Sequence, residues 1–364
     1  MSSSKLPGKR IPAAGSAFLL PRPRSFAGLA LAGFALSVLL TFAMRAGDGG
    51  ASVGFLFVCT IAAVPPPEFP GVLTTFAFEP IPVYVLVTIG AGYLLVFRAV
   101  RSGSQRRLAS TRRLISFLSG LLLVLLTVFG PLAAYSSTFL TAHMIQHFVL
   151  ITIAPPLLLA GAPLTLLLVA AGRARRDRWL YPLLHSRWFI GFTNPLVGLV
   201  LFAVIPVGWY ISPAFEQSLT NVWLHYLGYG IFLFAGTHYW WPIVGVNPSR
   251  WNLSHPIRVA YLFALVPIHA FLGSLFYEPT QVIYEDLQAL PRYWGPSPLF
   301  DQQIAGAMMF IVGEIIGIIA TLVAASRWAS ADEREGKRID AALARKRARA
   351  AADAGVDSEP EGPR

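Results

Sequence analysis

The stretch HMIQHFVLITIAPPLLLAGAP, from His143 to Pro163, decides the class of protein. It forms most of an apolar run, 138–160, that is long enough to cross a membrane, because about 20 helical residues span the hydrocarbon core. A strand of a membrane barrel would instead alternate apolar and polar residues over about ten positions. The run therefore predicts a transmembrane α-helix, and this helix carries two histidines, His143 and His147, four positions apart.

The composition extends this prediction to the whole chain. Of the 364 residues, 55% are hydrophobic and 13% are charged, whereas soluble domains carry about 25% charged residues. Further apolar runs predict an all-α, polytopic transmembrane helix bundle, with a seven-helix core and one additional N-terminal helix. The predicted spans are 26–43, 79–98, 114–133, 138–160, 194–211, 222–243, 257–277 and 303–326.

Lys and Arg are concentrated in alternate loops and in the tails, where they orient a membrane protein. The chain has 29 Lys and Arg against 18 Asp and Glu. Basic loops lie at 98–113 and 173–187, and the C-terminal tail contains RKRAR at 345–349, while the intervening loops are mainly acidic. By the positive-inside rule this pattern places both termini in the cytoplasm. Since the positive charge lies in loops beside the bilayer, we predict no nucleic-acid partner.

The chain divides into four predicted parts. These are a cytoplasmic basic N-terminal tail (1–24), an anchor helix with an outer re-entrant or interfacial segment (25–78), the seven-helix membrane core (79–328) and a charged cytoplasmic tail (329–364). The re-entrant segment is 52–64, which is too short to cross. Because the first apolar run follows several basic residues, a cleaved signal peptide is the alternative to a retained anchor.

Several side chains that bind metals share one predicted depth. Counting 1.5 Å of helical rise per residue from the outer end of each span places them about 5–13 Å below the outer boundary. These residues are His143, His147, His225, His269, Met308 and Met309. Since His143 and His147 lie at i and i+4 on one helix face, both imidazoles can reach one metal ion.

The chemistry of these groups favours copper. Imidazole and thioether ligands suit copper, and thioether sulfur prefers Cu(I), whereas the single cysteine, Cys59, offers no cysteine pair. Gln146 is expected to hydrogen-bond an imidazole or a neighbouring helix, and Pro155 and Pro156 are expected to kink the helix. Glu314, near mid-bilayer, is either a proton relay, a group that stabilises a cation, or a protonated carboxyl bonded to a neighbouring helix.

Two other functions fit the same layer of side chains. Two histidines from different helices can be the axial ligands of a haem, as in a membrane cytochrome or haem-handling protein. The layer and Glu314 can also line a copper or small-solute permease, although the internal repeats of many transporters are not visible here. Because the chain has no G-x-S-x-G, H-E-x-x-H or P-loop motif, we predict that it is not an enzyme.

Taken together, several motifs resemble those of the CtaG-type cytochrome c oxidase assembly factors, which are bacterial membrane proteins with a seven-helix core. The matching pieces follow the family's order between residues 76 and 328. They are FEP at Phe78, HMIQHFVLITIAPPLLLAGAP at His143, AGTHYWWPIVG at Ala235, RYWGPSPLFDQQIAGAMMF at Arg292, and the basic tail.

The resemblance implies a multi-pass protein of the bacterial plasma membrane that matures a haem–copper oxidase. It implies that copper passes to the copper centre of oxidase subunit I, with a periplasmic copper donor as a further partner. The residues that it implicates directly are His143, His147 and His225.

The same resemblance adds a second motif and shows one departure. The motif consists of Asp301, Gln302 and Gln303, to which no specific role is attached. Family members often have a second histidine four positions after the residue that matches His225, but this chain has Tyr229 there. We expect His269 to supply a ligand in its place.

Overall fold

The computed structural model describes residues 23–46, 64–77, 79–251, 253–289 and 292–356. Within these ranges the secondary structure is helical, and no β-strand is formed. This confirms the all-α prediction. Most of the predicted N-terminal tail, residues 52–63 of the predicted re-entrant segment, and Phe78 of the FEP motif lie outside the described residues.

Seventeen α-helices occur in the described ranges, numbered in chain order. They are α1 Pro23–Ala46, α2 Pro80–Arg101, α3 Thr111–Phe129, α4 Pro131–Ser136, α5 Leu140–Phe148, α6 Ala154–Ala160, α7 Pro163–Ala170, α8 Gly172–Arg175, α9 Tyr181–Leu184, α10 Arg187–Phe192, α11 Pro195–Ile211, α12 Ala214–Thr220, α13 Val222–Val244, α14 His255–Phe263, α15 Leu265–Tyr277, α16 Glu285–Ala289 and α17 Pro298–Val356. Short 3₁₀ turns occupy Gly71–Thr74 and Arg106–Leu108, and π-helical turns occupy Val149–Ile153 and Arg176–Leu180.

Six helical segments in the described ranges are long and apolar enough to cross a membrane. They are Ala27–Met44, Pro80–Arg101, Thr111–Phe129, Leu140–Ala170, His255–Tyr277 and Pro298–Ala348. The pair α11 and α12, bent by 66°, makes a seventh if it counts as one span. Helix α13 has 23 residues but is not among them, since it carries two histidines and several tyrosines and tryptophans. The multi-pass prediction is confirmed, whereas the count of eight and the cytoplasmic termini stay predictions.

The double proline of the opening stretch follows a π-helical turn. Because Pro155 and Pro156 have no N–H group, the carbonyls of Ile151 and Thr152 lose their usual intrahelical donors. In the structure Val149–Ile153 form a π-turn and α6 starts at Ala154, so both prolines lie in the first turn of α6. Such π-turns inside helices are uncommon and often lie near functional sites.

The chain forms two compact units. The first comprises 1–252 and 271–310, and the second comprises Leu253–Ala270 and Ile311–Arg364. In the first unit α13 packs on α11, on α6 and on the π-turn, while α3 packs on α6 and on α2. In the second unit the charged tail is helical as far as Val356.

Candidate metal centre

Three buried imidazoles converge in the first unit. His143 and His147 come from α5, and His225 comes from the first turn of α13. The ring centroids of His143 and His147 are 4.3 Å apart, and those of His143 and His225 are 5.4 Å apart. No more than 4% of any of the three residues is exposed. The structure thus brings together the three histidines that the sequence singles out most strongly.

Two of the rings are oriented by polar neighbours. The Nδ1 atom of His147 is hydrogen-bonded to the hydroxyl of Tyr210, on α11. The Nδ1 atom of His225 lies 3.1 Å from the carbonyl oxygen of Ser218, on α12. A carbonyl oxygen only accepts, so this bond places the proton of His225 on Nδ1.

His143 differs from the other two histidines. Its ring is buried, and neither Nδ1 nor Nε2 has a hydrogen-bond partner of ordinary geometry, although the backbone of Ser136 lies beside it. Buried polar atoms are nearly always satisfied by protein or water, and leaving one unsatisfied costs about 1–3 kcal/mol. The environment of His143 therefore favours a ligand for at least one of its nitrogens.

Aromatic rings enclose the imidazoles. Phe215 contacts His143 edge-on at 4.9 Å between centroids, Phe232 stacks on His147 at 3.9 Å, and Tyr229 contacts His225 at 4.7 Å. In the described part of the chain, no group of three or more His, Cys, Asp or Glu side chains is placed so that it could hold a metal ion as it stands. The three imidazoles therefore form a buried cluster enclosed by aromatic rings, in which further donors or a shift of the rings would be needed to complete a metal site.

Gln146 bonds to neighbouring helices, the second of the two outcomes expected from the sequence. Its Nε2 donates to the carbonyl oxygen of Thr127 at 2.7 Å and to the hydroxyl of Tyr229 at 3.2 Å. Tyr229, at the position where the family resemblance implies a second histidine, joins α13 to α5. Gln146 and Tyr229 thus hold the two histidine-bearing helices together.

Asp301 acts on the histidine cluster through the start of α5. Its carboxylate accepts hydrogen bonds from the backbone N–H groups of Leu140 and Thr141, at 2.7 and 3.1 Å. It also pairs with Arg292 at 3.2 Å. An aspartate from a remote segment therefore caps the helix that carries His143 one turn later.

The other members of the same motif lie beside Asp301. Gln302 is buried and hydrogen-bonds both to the end of α15 and to the loop that follows it. Its Oε1 accepts from the N–H of Ile283 at 2.9 Å, and its Nε2 donates to the carbonyl oxygen of Phe276 at 3.3 Å. Gln303 is partly buried. These contacts give Asp301 and Gln302 roles in holding the structure.

The remaining predicted ligands are helical and at least partly buried. Met309 is buried, Met308 and Glu314 are partly buried, and all three lie on α17. His269 is buried in the second unit, with its Nδ1 3.1 Å from the carbonyl oxygen of Leu265. The convergence of Met308, Met309 and His269 with the three imidazoles stays a prediction, as do the alternative roles of Glu314.

Gly313→Ala is expected to destabilise the protein measurably, whereas Gly317→Ala is expected to be tolerated. A Cβ atom on Gly313 would lie 2.5 Å from the ring of His269, but one on Gly317 would meet nothing nearer than 3.5 Å. Overpacking of this kind costs about 1–3 kcal/mol. Thermal unfolding in detergent measures both variants. Equal stability of the two variants would contradict the close approach.

Two polar residues were missed by reasoning from the sequence. Tyr210 lies near the outer end of the predicted span 194–211, and no sequence pattern linked it to His147. That span agrees with α11, Pro195–Ile211, but the structure adds α12 beyond it, which buries Phe215 and Ser218 over the cluster. The apolar residues within 214–219 were the available signal for α12.

Glu79 is the second such residue. In the sequence Glu79 is one of the acidic residues of the intervening loops, whereas in the structure it is completely buried and accepts a hydrogen bond from the hydroxyl of Tyr226. Tyr226 directly follows His225. This bond joins the start of α2 to the histidine-bearing turn of α13.

Comparisons with known proteins agree with the motifs. The chain is 31% identical over 282 residues to uncharacterized proteins of Mycobacterium bovis and Mycobacterium tuberculosis, and 29% identical to one of Mycobacterium leprae. Each alignment covers 76% of this chain and 42% of the relative, so the chain spans less than half the length of these relatives. No solved structure matches.

The family comparison covers most of the membrane core. Residues 91–331 match the cytochrome c oxidase caa3 assembly factor family, a range that includes the three clustered histidines, Tyr210 and Asp301. The chain belongs to the cytochrome c oxidase caa3 assembly factor family.

Proposed function

We propose that this protein, in the bacterial plasma membrane, holds copper at the cluster of His143, His147 and His225 and passes it to subunit I of a haem–copper oxidase. Copper is the cargo, and Cu(I) is the favoured state. A periplasmic protein supplies it, and the chain itself catalyses no reaction. The observation that supports this most directly is the buried His143 ring, neither of whose nitrogens has a hydrogen-bond partner of ordinary geometry.

The donor set suits transfer. Imidazoles bind copper well, but without cysteine thiolates they form no closed sulfur cage. A site of neutral nitrogen ligands can release its ion to a client with more ligands. Met308, Met309 and His269 are proposed to add soft or exchangeable donors during loading or release. The Tyr210 hydroxyl orients His147 in the way that outer hydrogen bonds orient metal ligands.

Copper content tests the proposal. Purified protein is loaded with Cu(I) under anaerobic conditions, and bound copper is measured against a competing chelator. We expect wild type to retain copper, and His143→Ala, His147→Ala and His225→Ala to lose it. The exposed His185 provides the matched control, so His185→Ala should behave as wild type. Equal copper in all five proteins would contradict the proposal.

The ring packing does not favour haem. A haem with two axial histidines lies between their rings, but His143 contacts both His147 and His225 directly. We expect the purified protein to show no Soret band. A band that persists through purification and disappears in His143→Ala would support haem binding instead.

A further inference from the structure

The guanidinium group of Arg292 is buried, and of its three nitrogens only Nη1 has hydrogen-bond partners. It lies in the loop between α16 and α17, with 8% of the side chain exposed. Its Nη1 donates to Oδ2 of Asp301 at 3.2 Å and to the carbonyl oxygen of Pro296 at 3.5 Å. The guanidinium carbon lies 5.1 Å from the ring centroid of Phe139. One nitrogen and one face of the cation are therefore held in place.

The opposite edge of the guanidinium is unsatisfied. Nε and Nη2 are both buried and have no hydrogen-bond partner. These two nitrogens lie on the same edge of the planar group and present two parallel N–H bonds. Such a fork fits the two oxygens of a carboxylate or a phosphate. Because buried donors are nearly always paired, this edge has the chemistry of a binding site.

The charges around Arg292 also favour an anion. The N-terminus of α5 carries a partial positive charge, and both of its bonded N–H groups, on Leu140 and Thr141, use the carboxylate of Asp301. Arg292 uses the same carboxylate. The single negative charge of Asp301 thus faces both the partial positive charge of the helix N-terminus and the full positive charge of Arg292. Together these three groups carry an excess of positive charge.

We propose that the Nε–Nη2 edge of Arg292 binds an oxyanion bidentately, beside the capped start of α5 and about one helical turn from His143. The ligand is a carboxylate or a phosphate. A small soluble oxyanion and the phosphate of an anionic lipid share this chemistry. The site does not depend on copper, so its test is separate from the test of the histidine cluster.

Small anions are the suitable probes, because the edge is buried. The copper-free protein in detergent is titrated with acetate or with inorganic phosphate at constant ionic strength, and the apparent Tm is recorded. We expect a saturable rise in Tm for wild type. In Arg292→Lys, which keeps the charge but loses the fork, the apparent affinity should fall about tenfold. Arg176→Lys, which alters an exposed ion pair, should respond as wild type does.

A second experiment distinguishes the two sources of the oxyanion. The protein is placed in nanodiscs of phosphatidylcholine with or without phosphatidylglycerol. A rise in Tm that requires phosphatidylglycerol and Arg292 assigns the site to a lipid phosphate. A response to acetate or inorganic phosphate without a lipid response assigns it to a small soluble oxyanion.

Absence of any saturable shift in wild type, or an unchanged response in Arg292→Lys, overturns the proposal. If Arg292→Lys does not fold, Arg292→Met takes its place in both experiments, and an anion response in Arg292→Met equal to that of wild type overturns the proposal in the same way.

Discussion

Gly236→Ala is expected to be the most damaging single-methyl addition among those tested in α13, because the new Cβ atom would lie 2.1 Å from the carbonyl oxygen of Ile151. The carbonyl carbon and Cα of Ile151 would lie at 2.7 and 2.8 Å. All three are backbone atoms, so no side-chain rotation relieves the clash. The two helices must separate, and we expect the cost to exceed the about 1–3 kcal/mol typical of overpacked cores.

The position of Ile151 makes the same substitution a test of the histidine cluster. Ile151 lies on the π-turn, one turn beyond His147, and Pro155 leaves its carbonyl without the usual helical donor. Gly236 allows α13 to approach this carbonyl closely. Because α13 also carries His225, moving it away should separate His225 from His143 and weaken copper binding along with stability.

Gly230→Ala is the matched control on the same helix. A Cβ atom there would meet nothing within 4 Å, and replacing Gly by Ala inside a helix normally stabilises it by about 1 kcal/mol. The two variants should therefore shift the apparent Tm in opposite directions, which thermal unfolding in detergent measures. Similar midpoints for Gly230→Ala and Gly236→Ala would contradict the contact between α13 and the π-turn.

The contact between Gly236 and Ile151 marks the limit of what the sequence predicts. Hydropathy predicts the helices, and loop charge predicts which end of each helix faces the cytoplasm. The rise per residue along a helix then predicts that His143, His147 and His225 lie at similar depths in the membrane. Rise does not give the rotation of a helix about its axis or the identity of its neighbour. The close approach of Gly236 and the bonds of Gln146 depend on both, so they appear only in the structure.

Other features were missed because they depend on pairs distant in sequence. The cap of α5 comes from Asp301, 161 residues away, and no local pattern around Leu140 signals it. Tyr210 was not singled out, because nothing in the sequence around it signals its contact with His147 on another helix. The resemblance singled out the Asp301 motif without a role, and only its contacts show that Asp301 caps α5.

Asp301→Ala is expected to cost about 3–5 kcal/mol, because it leaves Arg292 buried without its charge partner. It also removes the acceptor for the N–H groups of Leu140 and Thr141, and loss of a cap costs about 1 kcal/mol. Asp177→Ala is the matched control, since Asp177 pairs with Arg176 at the same 3.2 Å but is 57% exposed. An exposed pair contributes at most about 1 kcal/mol. The apparent Tm should fall sharply for Asp301→Ala and hardly at all for Asp177→Ala.

A second substitution separates the two contributions of Asp301. Adding Arg292→Met to Asp301→Ala removes the unpaired charge but does not restore the cap, so the double variant should recover part of the lost stability. The remaining loss measures the cap of α5. Because this cap lies one turn before His143, the double variant should still bind Cu(I) more weakly than wild type does. Full recovery of stability and of copper binding would show that Asp301 serves Arg292 alone and does not position the histidine-bearing helix.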